Sequence, residues 1–334
     1  MKMFKLLPAM AGVGALVITL SGCGGTQPAP GAAESSKPTD VSLYYSAPIT
    51  QQSLGTIAKE HNLFPSSVNV DVKGGDSTVG MTLVSSGRVQ VYINASPTPE
   101  QVVSGGAQVK WAGTWQEGID TVFLGRGDVE TLQDMKGKRF GIIQKGLTLS
   151  VMGNEALRRA GLTAADYTSV PLGTLPAVNA AFAAGTVDGI VTDPASAAEL
   201  LKKVDGSKSL FDFYGNIPWN GAGVAVNTEW AAKNPAAASA VLEGLNAALK
   251  LIHEDPAKVT PTIGKLTGLS GPALDASIAR FTEHSAKEIK PLTLETEQEI
   301  IKILKDDGEA WATPTFAEGM IGDPKYLADA LQKK

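Results

Sequence analysis

The sequence predicts an α/β protein made of two similar lobes, and three observations lead to this prediction. Short runs of β-forming residues alternate with segments of helical spacing between residues 41 and 93. A strand–helix–strand order favours a parallel sheet with right-handed crossovers. A similar order then recurs, and Gly87 and Gly185, each followed by a short apolar run, mark equivalent points 98 residues apart.

The first unit begins with a predicted strand at 41–45 and a helix at 50–62. Val68, Val70 and Val72 alternate with polar residues and indicate a second strand. We expect the next helix to start with Asp76 or Ser77 as its N-cap and to end at Gly87, before a third strand at 89–93.

The second unit follows the same order when 98 is added to each number. Predicted strands then fall at 140–143 and 166–170, a helix at 149–159, and a third strand starts at Val187. No gap is needed from Gly75 to Ile93. Identities between the units are few, so the shared order of elements carries the prediction.

Further segments connect and follow the two units. Strands are predicted at 109–112 and 119–124, the second leading into the second unit, and an apolar strand at 221–227 indicates a return crossing. The remainder is predicted to be helical, with Asn234 as an N-cap before Pro235. The expected helices are 235–254, 256–267, 271–284, 294–310 and 324–331.

The amino terminus has the pattern of an export signal. Lys2 and Lys5 precede an apolar run to Leu20, which is too short for a membrane span of roughly twenty residues. Small residues before Cys23 resemble the lipidation site of bacterial lipoproteins, against the alternative of a buried cysteine at a helix end. We therefore predict a signal peptide at 1–22, lipidation of Cys23 and a flexible tether at 23–39.

Composition narrows the function. The net charge is −5 and no basic stripe is present, so nucleic acid is not an expected partner. Cys23 is the only cysteine, which rules out a disulfide within the chain. The sequence contains no phosphate-binding loop, no nucleophile elbow and no metal-binding histidine motif. We expect no enzyme activity, no cofactor and no metal.

Several short motifs resemble one family of binding proteins. The run LQDMKGKRFG at 132–141, together with VPLG at 170–173 and AGTVDG at 184–189, resembles segments of nitrate/sulfonate/taurine and thiamine-precursor binding proteins. KGGDSTVGMTLVSSGRVQV at 73–91 also fits their pattern. The resemblance covers about 40–230 well and the helical tail loosely.

This resemblance implies a type II periplasmic-binding fold, with two Rossmann-like lobes joined by two crossing segments. Lobe one would comprise 40–123 plus 222–334, with the helical C-terminal region packing on it, and lobe two 124–221. It also implies a monomeric, lipid-anchored component of an ABC importer, with a small solute, a permease and its ATPase as partners. Membrane contact would be through the lipid alone.

Candidate binding residues follow from the loops beyond the carboxyl ends of the strands, where ligands bind in open α/β sheets. Glycine permits close approach of the backbone, and hydroxyls and helix N-termini supply donors. The candidates are Ser46, Gln51, Gly75, Asp76, Ser77, Thr78, Asn94 and Ser96 in lobe one, Thr148, Ser150, Gly173, Thr174 and Asp193 in lobe two, and Trp219 before the return crossing.

The ligand itself stays open at this point. Lys145 is the only basic residue at a predicted strand end, so a singly charged organic anion such as a sulfonate, nitrate or taurine is favoured over a doubly charged one. A thiamine-precursor pyrimidine or another small aromatic compound is the alternative ligand. A ligand-sensing lipoprotein of the same fold is the alternative function.

Overall fold

The structure is a computed structural model that describes residues 37–332; within it, the side chain of Thr78 is not described. The first sheet has the strand order β2-β1-β3-β10-β4. β1 pairs in parallel with β2 and β3, and β10 runs antiparallel between β3 and β4. Its strands are β1 (Thr39–Tyr45), β2 (Val68–Gly74), β3 (Val91–Asn94), β4 (Val109–Glu117) and β10 (Asn220–Asn227).

The second sheet repeats this arrangement with the order β7-β6-β8-β5-β9. β6 pairs in parallel with β7 and β8, and β5 runs antiparallel between β8 and β9. Its strands are β5 (Val122–Gly125), β6 (Arg139–Ile142), β7 (Thr168–Pro171), β8 (Gly189–Thr192) and β9 (Lys208–Asp212). The predicted fold of two α/β lobes is therefore confirmed.

Two segments join the sheets, 118–121 between β4 and β5 and 213–219 between β9 and β10. We call the first sheet and its helices lobe one and the second sheet and its helices lobe two. Val122 and Phe123 lie in β5 and thus in the second sheet, and Asn220 already lies in the first. Each change of sheet therefore comes two residues before the boundary expected from the sequence, at 122 against 124 and at 220 against 222.

The helices cover both faces of each sheet. Lobe one carries α1 (Leu54–Glu60), α2 (Ser77–Ser85) and α3 (Thr98–Ser104), and lobe two carries α4 (Thr148–Arg159), α5 (Leu175–Ala184) and α6 (Pro194–Lys203). The C-terminal region contains α7 (Thr228–Lys233), α8 (Pro235–Glu254), α9 (Pro256–Thr267), α10 (Gly271–His284), α11 (Leu294–Asp306), α12 (Pro314–Met320) and α13 (Pro324–Gln332).

The internal spacing of 98 residues holds in three dimensions. β3 starts at Val91 and β8 at Gly189, and α2 starts at Ser77 and α5 at Leu175. The glycines that end these two helices, Gly87 and Gly185, both have positive φ values, of 68° and 76°. Such a conformation is easy for glycine and strained for other residues, which explains why both units use it.

The C-terminal helices pack on lobe one and also reach lobe two. Residues of α8, α9, α10 and α13 join the core that contains β1, β3 and α1. By contrast, Ile300, Ile301 and Leu304 of α11 and Ala317 of α12 join the core of lobe two, next to Phe140. The segment from Leu292 to Met320 thus connects the two lobes in addition to the crossings.

Some local details differ from the sequence-based expectation. Asn234 does not cap α8 through its side chain; its amide donates instead to the Trp230 carbonyl at 3.0 Å. The strand β9 and the helices α3, α6, α7 and α12 were not expected; β9, α3, α7 and α12 are short and lack a full period of apolar spacing. The predicted helix 294–310 ends at Asp306.

Two findings concern the environment of the protein. Within residues 37–332, no helix combines the length and apolar character needed to cross a membrane. The same part of the chain contains no group of three or more His, Cys, Asp or Glu side chains able to hold a metal ion. The predicted signal peptide and Cys23 lie outside the described residues.

Candidate binding cleft

The carboxyl ends of the parallel strands of both lobes are followed by polar loops and helix N-termini. In lobe two, α4, α5 and α6 start shortly after β6, β7 and β8, and in lobe one α2 starts after β2. Unpaired N–H groups and the helix dipole make such ends favourable for anionic or hydrogen-bond-accepting groups. Their position defines the candidate cleft between the lobes.

The loop after β1 is held by a glutamine that the sequence did not single out. The Gln52 Oε1 atom accepts from the backbone N–H groups of Ser46 and Ala47, at 2.8 and 2.9 Å, and from the Ser46 hydroxyl at 3.0 Å. Gln52 is only 3% exposed. The Gln52 side chain therefore fixes the shape of the loop that contains Ser46. The candidate residue Gln51 makes a different contact, in which its backbone carbonyl accepts from the Trp115 indole.

The turn after β2 has the cap expected from the sequence. The Asp76 carboxylate accepts from the N–H of Val79 at 2.8 Å and caps α2, and the Tyr44 hydroxyl donates to the Asp76 carbonyl. The Ser77 hydroxyl donates to the Ser46 carbonyl at 3.5 Å, which brings the first two loops of lobe one together. Gly75 adopts a φ of 124°, a conformation that requires glycine.

Asn94, at the end of β3, is engaged by a buried tyrosine. Its amide nitrogen donates to the Tyr92 hydroxyl at 2.6 Å, and its oxygen accepts from the N–H of Ala95. Burial raises the pKa of the Tyr92 phenol well above its usual value of 10, so this group stays neutral. The Asn94 side chain is therefore oriented by protein contacts.

Ser96 lies where the two lobes meet. Its carbonyl accepts from the Thr148 hydroxyl at the start of α4, at 3.0 Å, and from the Trp219 indole at 2.9 Å. The Gln101 amide donates to the Gly146 carbonyl at 2.9 Å, forming a second bond between lobe one and lobe two. Ser96 and Trp219 are fully buried, so both belong to the junction of the lobes.

The remaining lobe-two candidates bond mainly within their own lobe. The Thr174 hydroxyl caps α5 and the Asp193 carboxylate caps α6, accepting from Ala177 at 3.3 Å and from Ser196 at 2.9 Å. The Ser150 hydroxyl donates to the Gln144 and Leu147 carbonyls. Gly173 is exposed, with a φ of 84°, and no contact joins it to lobe one. The last lobe-one candidate, Thr78, occupies the first turn of α2.

Both crossing segments contact α10, the first through an ion pair and the second through an aromatic stack. Arg280 of α10 pairs with Asp120 of the first crossing and lies 3.4 Å from Asp212 at the end of β9. Burial raises the pKa of Asp120, and the charge of Arg280 opposes that shift. Tyr214 of the second crossing stacks on the imidazole of His284, with ring centroids 3.7 Å apart. These contacts join both crossings to α10, beside lobe one.

Charge and apolar surface limit what the cleft can accept. Within the loops 46–53, 75–78, 94–98, 143–150, 172–176 and 192–195, Lys145 is the only cationic side chain. Ile49 and Val79, in the loop after β1 and in the first turn of α2, are 42% and 49% exposed. The lobe-one side of the cleft therefore presents both polar groups and apolar surface.

Two grooves open elsewhere on the surface. One groove lies beside the crossings and α10 and is lined by residues that include Trp115, Tyr214 and His284. The other lies between β1, α1 and α9 and includes Tyr45 and Thr262. Neither contains any of the candidate binding residues named in the sequence analysis. The strand ends and helix N-termini mark the space between the lobes as the candidate site.

Comparison with known proteins identifies the family. The model of the family described as "NMT1/THI5 like" matches residues 45–259, which is more than half of the chain. The chain belongs to the NMT1/THI5-like family. The match runs from the end of β1 to α9 and thus includes both crossings and all the loops of the candidate cleft.

Solved structures share the fold of this family member. The periplasmic aliphatic sulphonate binding protein SsuA from Escherichia coli is 22% identical, with a TM-score of 0.71, over 86% of this chain and 93% of that one. The alkanesulfonate-binding protein SsuA from Xanthomonas axonopodis pv. citri, bound to MOPS, is 20% identical, with a TM-score of 0.62, over 89% and 99%.

A third similar structure is that of the periplasmic nitrate-binding protein NrtA from Synechocystis PCC 6803. It is 11% identical, with a TM-score of 0.65, over 89% of both chains. No protein among the curated sequences matches this chain. The family match and the shared fold confirm the resemblance stated from the motifs.

Proposed function

We propose that this protein is the extracytoplasmic solute-binding component of an ABC importer. It captures a small solute in the cleft between its two lobes and delivers it to a membrane permease that is driven by an ATPase. In this proposal the protein acts as a monomer, held to the membrane by lipid on Cys23 after removal of residues 1–22.

The meeting of the two lobes at the carboxyl ends of their parallel strands carries this proposal. Ser96 of lobe one and Thr148 of lobe two are hydrogen-bonded there at 3.0 Å, and helix N-termini of both lobes start beside them. A ligand in this place contacts both lobes and favours their closure about the crossings. Solute capture requires this arrangement and no catalytic residue, so we propose binding without turnover.

A small organic anion of the sulfonate, nitrate or taurine type is our proposed ligand. Helix N-termini and one lysine, Lys145, suit a single negative charge, and the similar proteins SsuA and NrtA are described as binding sulfonates and nitrate. The exposed side chains of Ile49 and Val79 also suit an apolar group. They support a small aromatic compound, such as a thiamine-precursor pyrimidine, as the alternative ligand.

A thermal-shift panel of sulfonates, nitrate, taurine, aromatic acids and pyrimidines tests this proposal on the mature protein. At a ligand concentration of one hundred times Kd, binding adds about 2.7 kcal/mol to the free energy of unfolding. We expect at least one compound to raise the melting temperature, with the shift growing as its concentration increases.

Two controls give the result a clear meaning. Each compound is incubated with the protein and recovered, because chemical conversion of a bound compound would contradict a binding role. Isothermal titration calorimetry then gives the stoichiometry, for which we expect one solute per chain. If no compound in the panel shifts the melting temperature, the proposed ligand classes are wrong.

A further inference from the structure

The segment from Leu292 to Met320 lies between the lobes. α11 packs into the core of lobe two through Ile300, Ile301 and Leu304. Leu292, before α11, and Met320, at the end of α12, pack into the core of lobe one that contains β4, α2 and α3. A contact made by the first turn of α11 therefore acts at the junction of the two lobes.

Glu100 of α3 is completely buried in lobe one. Its Oε1 atom accepts from the Ser96 hydroxyl at 2.5 Å and from the Trp111 indole at 3.1 Å. Its Oε2 atom is buried and has no hydrogen-bond partner. One half of this carboxyl group is thus satisfied by neutral donors, and the other half faces the interior without a donor.

Glu297, in the first turn of α11, is also completely buried. Neither of its carboxyl oxygens has a hydrogen-bond partner. An ionised carboxylate without donors is costly to bury, by several kcal/mol in real proteins, and usually gains a proton instead. Glu297 is therefore a buried acid that needs either a cation or a proton.

No cation supplies that need among the described residues. The other charged side chains on the elements around the pair are Lys110 and Glu117 on β4, Glu295, Glu299, Lys302, Lys305 and Asp306 on α11, Glu318 on α12, and Glu155, Arg158 and Arg159 on α4. Within residues 37–332, none of these forms an ion pair or hydrogen bond with Glu100 or Glu297. The negative charge of Glu100 raises the pKa of Glu297, so the two carboxyl groups interact electrostatically.

We propose that Glu100 and Glu297 share a proton that joins α11 to lobe one, with the proton held on Glu297. The protonated Glu297 then donates to the free Oε2 atom of Glu100. The hydrogen bond gives a partner to one oxygen of each carboxyl group. The proton itself neutralises one of the two buried charges. The pair is thus a proton-binding site between the lobes.

The donors around each carboxyl group decide where the proton resides. The Ser96 hydroxyl and the Trp111 indole favour the ionised form of Glu100, whereas Glu297 receives no donor. Burial raises the pKa of both groups, and the negative charge of Glu100 raises the pKa of Glu297 further. Both influences leave Glu297 as the protonated member.

The pair is linked to the candidate cleft through one residue. Ser96 donates to Glu100 through its hydroxyl and accepts from Thr148 of lobe two through its carbonyl. Loss of the shared proton would place two negative charges across the junction that Ser96 helps to form. High pH is therefore expected to weaken the contact between α11 and lobe one.

The sign of the pH dependence follows from the direction of the pKa shift. Glu297 has a higher pKa in the folded than in the unfolded protein, so the unfolded chain releases the proton first as pH rises. Its stabilising effect is complete below the unfolded pKa, near 4.5, and is lost as pH rises toward the folded pKa. One retained proton increases the unfolding equilibrium constant about tenfold per pH unit in that range.

Urea unfolding of the wild type and of Glu297→Gln, at pH values from about 4 to 8, tests the proposal. The glutamine amide donates to Glu100 without titrating. We expect the ratio of the wild-type to the variant unfolding constant to rise about tenfold per pH unit above pH ~5. A ratio that stays constant over this range would show that Glu297 is ionised in the folded protein and would overturn the proposal.

Two further measurements keep the test decisive. Glu295→Gln, on the exposed side of the same helical turn, is the matched control and should leave the pH dependence unchanged. Infrared spectra at neutral pH should show a protonated-carboxyl C=O band in the wild type that is missing in Glu297→Gln. If Glu297→Gln does not fold, Glu100→Gln takes its place in these measurements. A wild-type spectrum without the protonated-carboxyl band contradicts the proposal. None of these readouts involves a ligand, so they stand apart from the proposed function.

Discussion

Replacing Gln52 with leucine is expected to abolish solute binding, with a loss of affinity of about a hundredfold or more. The change removes the acceptor for the N–H groups of Ser46 and Ala47, and each buried donor left without a partner costs about 1–3 kcal/mol. The loop after β1 then moves to recover these bonds and loses its shape. Calorimetric titration with the best ligand of the panel measures the effect.

Two other variants show whether the shape of the loop is the cause. Gln52→Glu keeps an acceptor oxygen for the same donors and should retain much more affinity than the leucine variant. Gln90→Leu removes a comparable bond, from the N–H of Ser42 at 2.9 Å, in the middle of β1 and away from the loop, and should bind as the wild type does. Wild-type affinity in Gln52→Leu would show that the loop does not contact the solute.

Replacing Trp219 with alanine is expected to lower the free energy of unfolding by about 3–5 kcal/mol, the usual cost of removing a buried tryptophan. Trp219 is fully buried in the core of lobe two, and its indole joins the second crossing to Ser96 at 2.9 Å. The substitution therefore loses both packing and the contact at the junction of the lobes. Urea unfolding followed by circular dichroism gives the value.

A phenylalanine at the same position separates the two contributions. Trp219→Phe keeps most of the packing and loses the hydrogen bond, so its cost should be nearer ~1 kcal/mol, because the Ser96 carbonyl still accepts from the Thr148 hydroxyl. A loss below 1 kcal/mol in the alanine variant would mean that residue 219 does not support the junction. Equal losses in both variants would assign the whole effect to the hydrogen bond.

The fold could be predicted from the sequence because its signals are local. Alternating valines in β2, the glycines that end α2 and α5, and the spacing between the two units are visible within short windows. The 98-residue offset also reproduces the starts of α2 and α5 and of β3 and β8 in the structure. Repetition therefore predicted two similar α/β units in one chain, which no single segment could have indicated.

The C-terminal helices show the limit of such signals. Helical spacing predicted α8, α9 and α10 at their observed positions, but the apolar residues of α11 do not indicate which core they enter. Only the folded chain shows Ile300 and Leu304 in the core of lobe two. The same limit applies to Glu297, which lies between Glu295 and Glu299 in α11 and has the sequence pattern of a surface residue.

The candidate site was predicted by position rather than by chemistry. Ser46, Ser77, Ser96 and Thr148 lie at the ends of strands as expected, and hydrogen bonds link them into two groups. Gln52 was not found, since a glutamine in a helical turn gives no signal that its side chain holds a loop three or more residues away. Which of the candidates contact the solute remains a prediction.

Hydrogen–deuterium exchange with and without the solute tests the central claim most directly. A solute bound between the lobes should slow exchange in the loops 46–53, 94–98 and 144–150 together, since these lie on both sides of the cleft. Protection confined to the groove between β1, α1 and α9, which includes Tyr45 and Thr262, would contradict the claim, as would protection of one lobe alone.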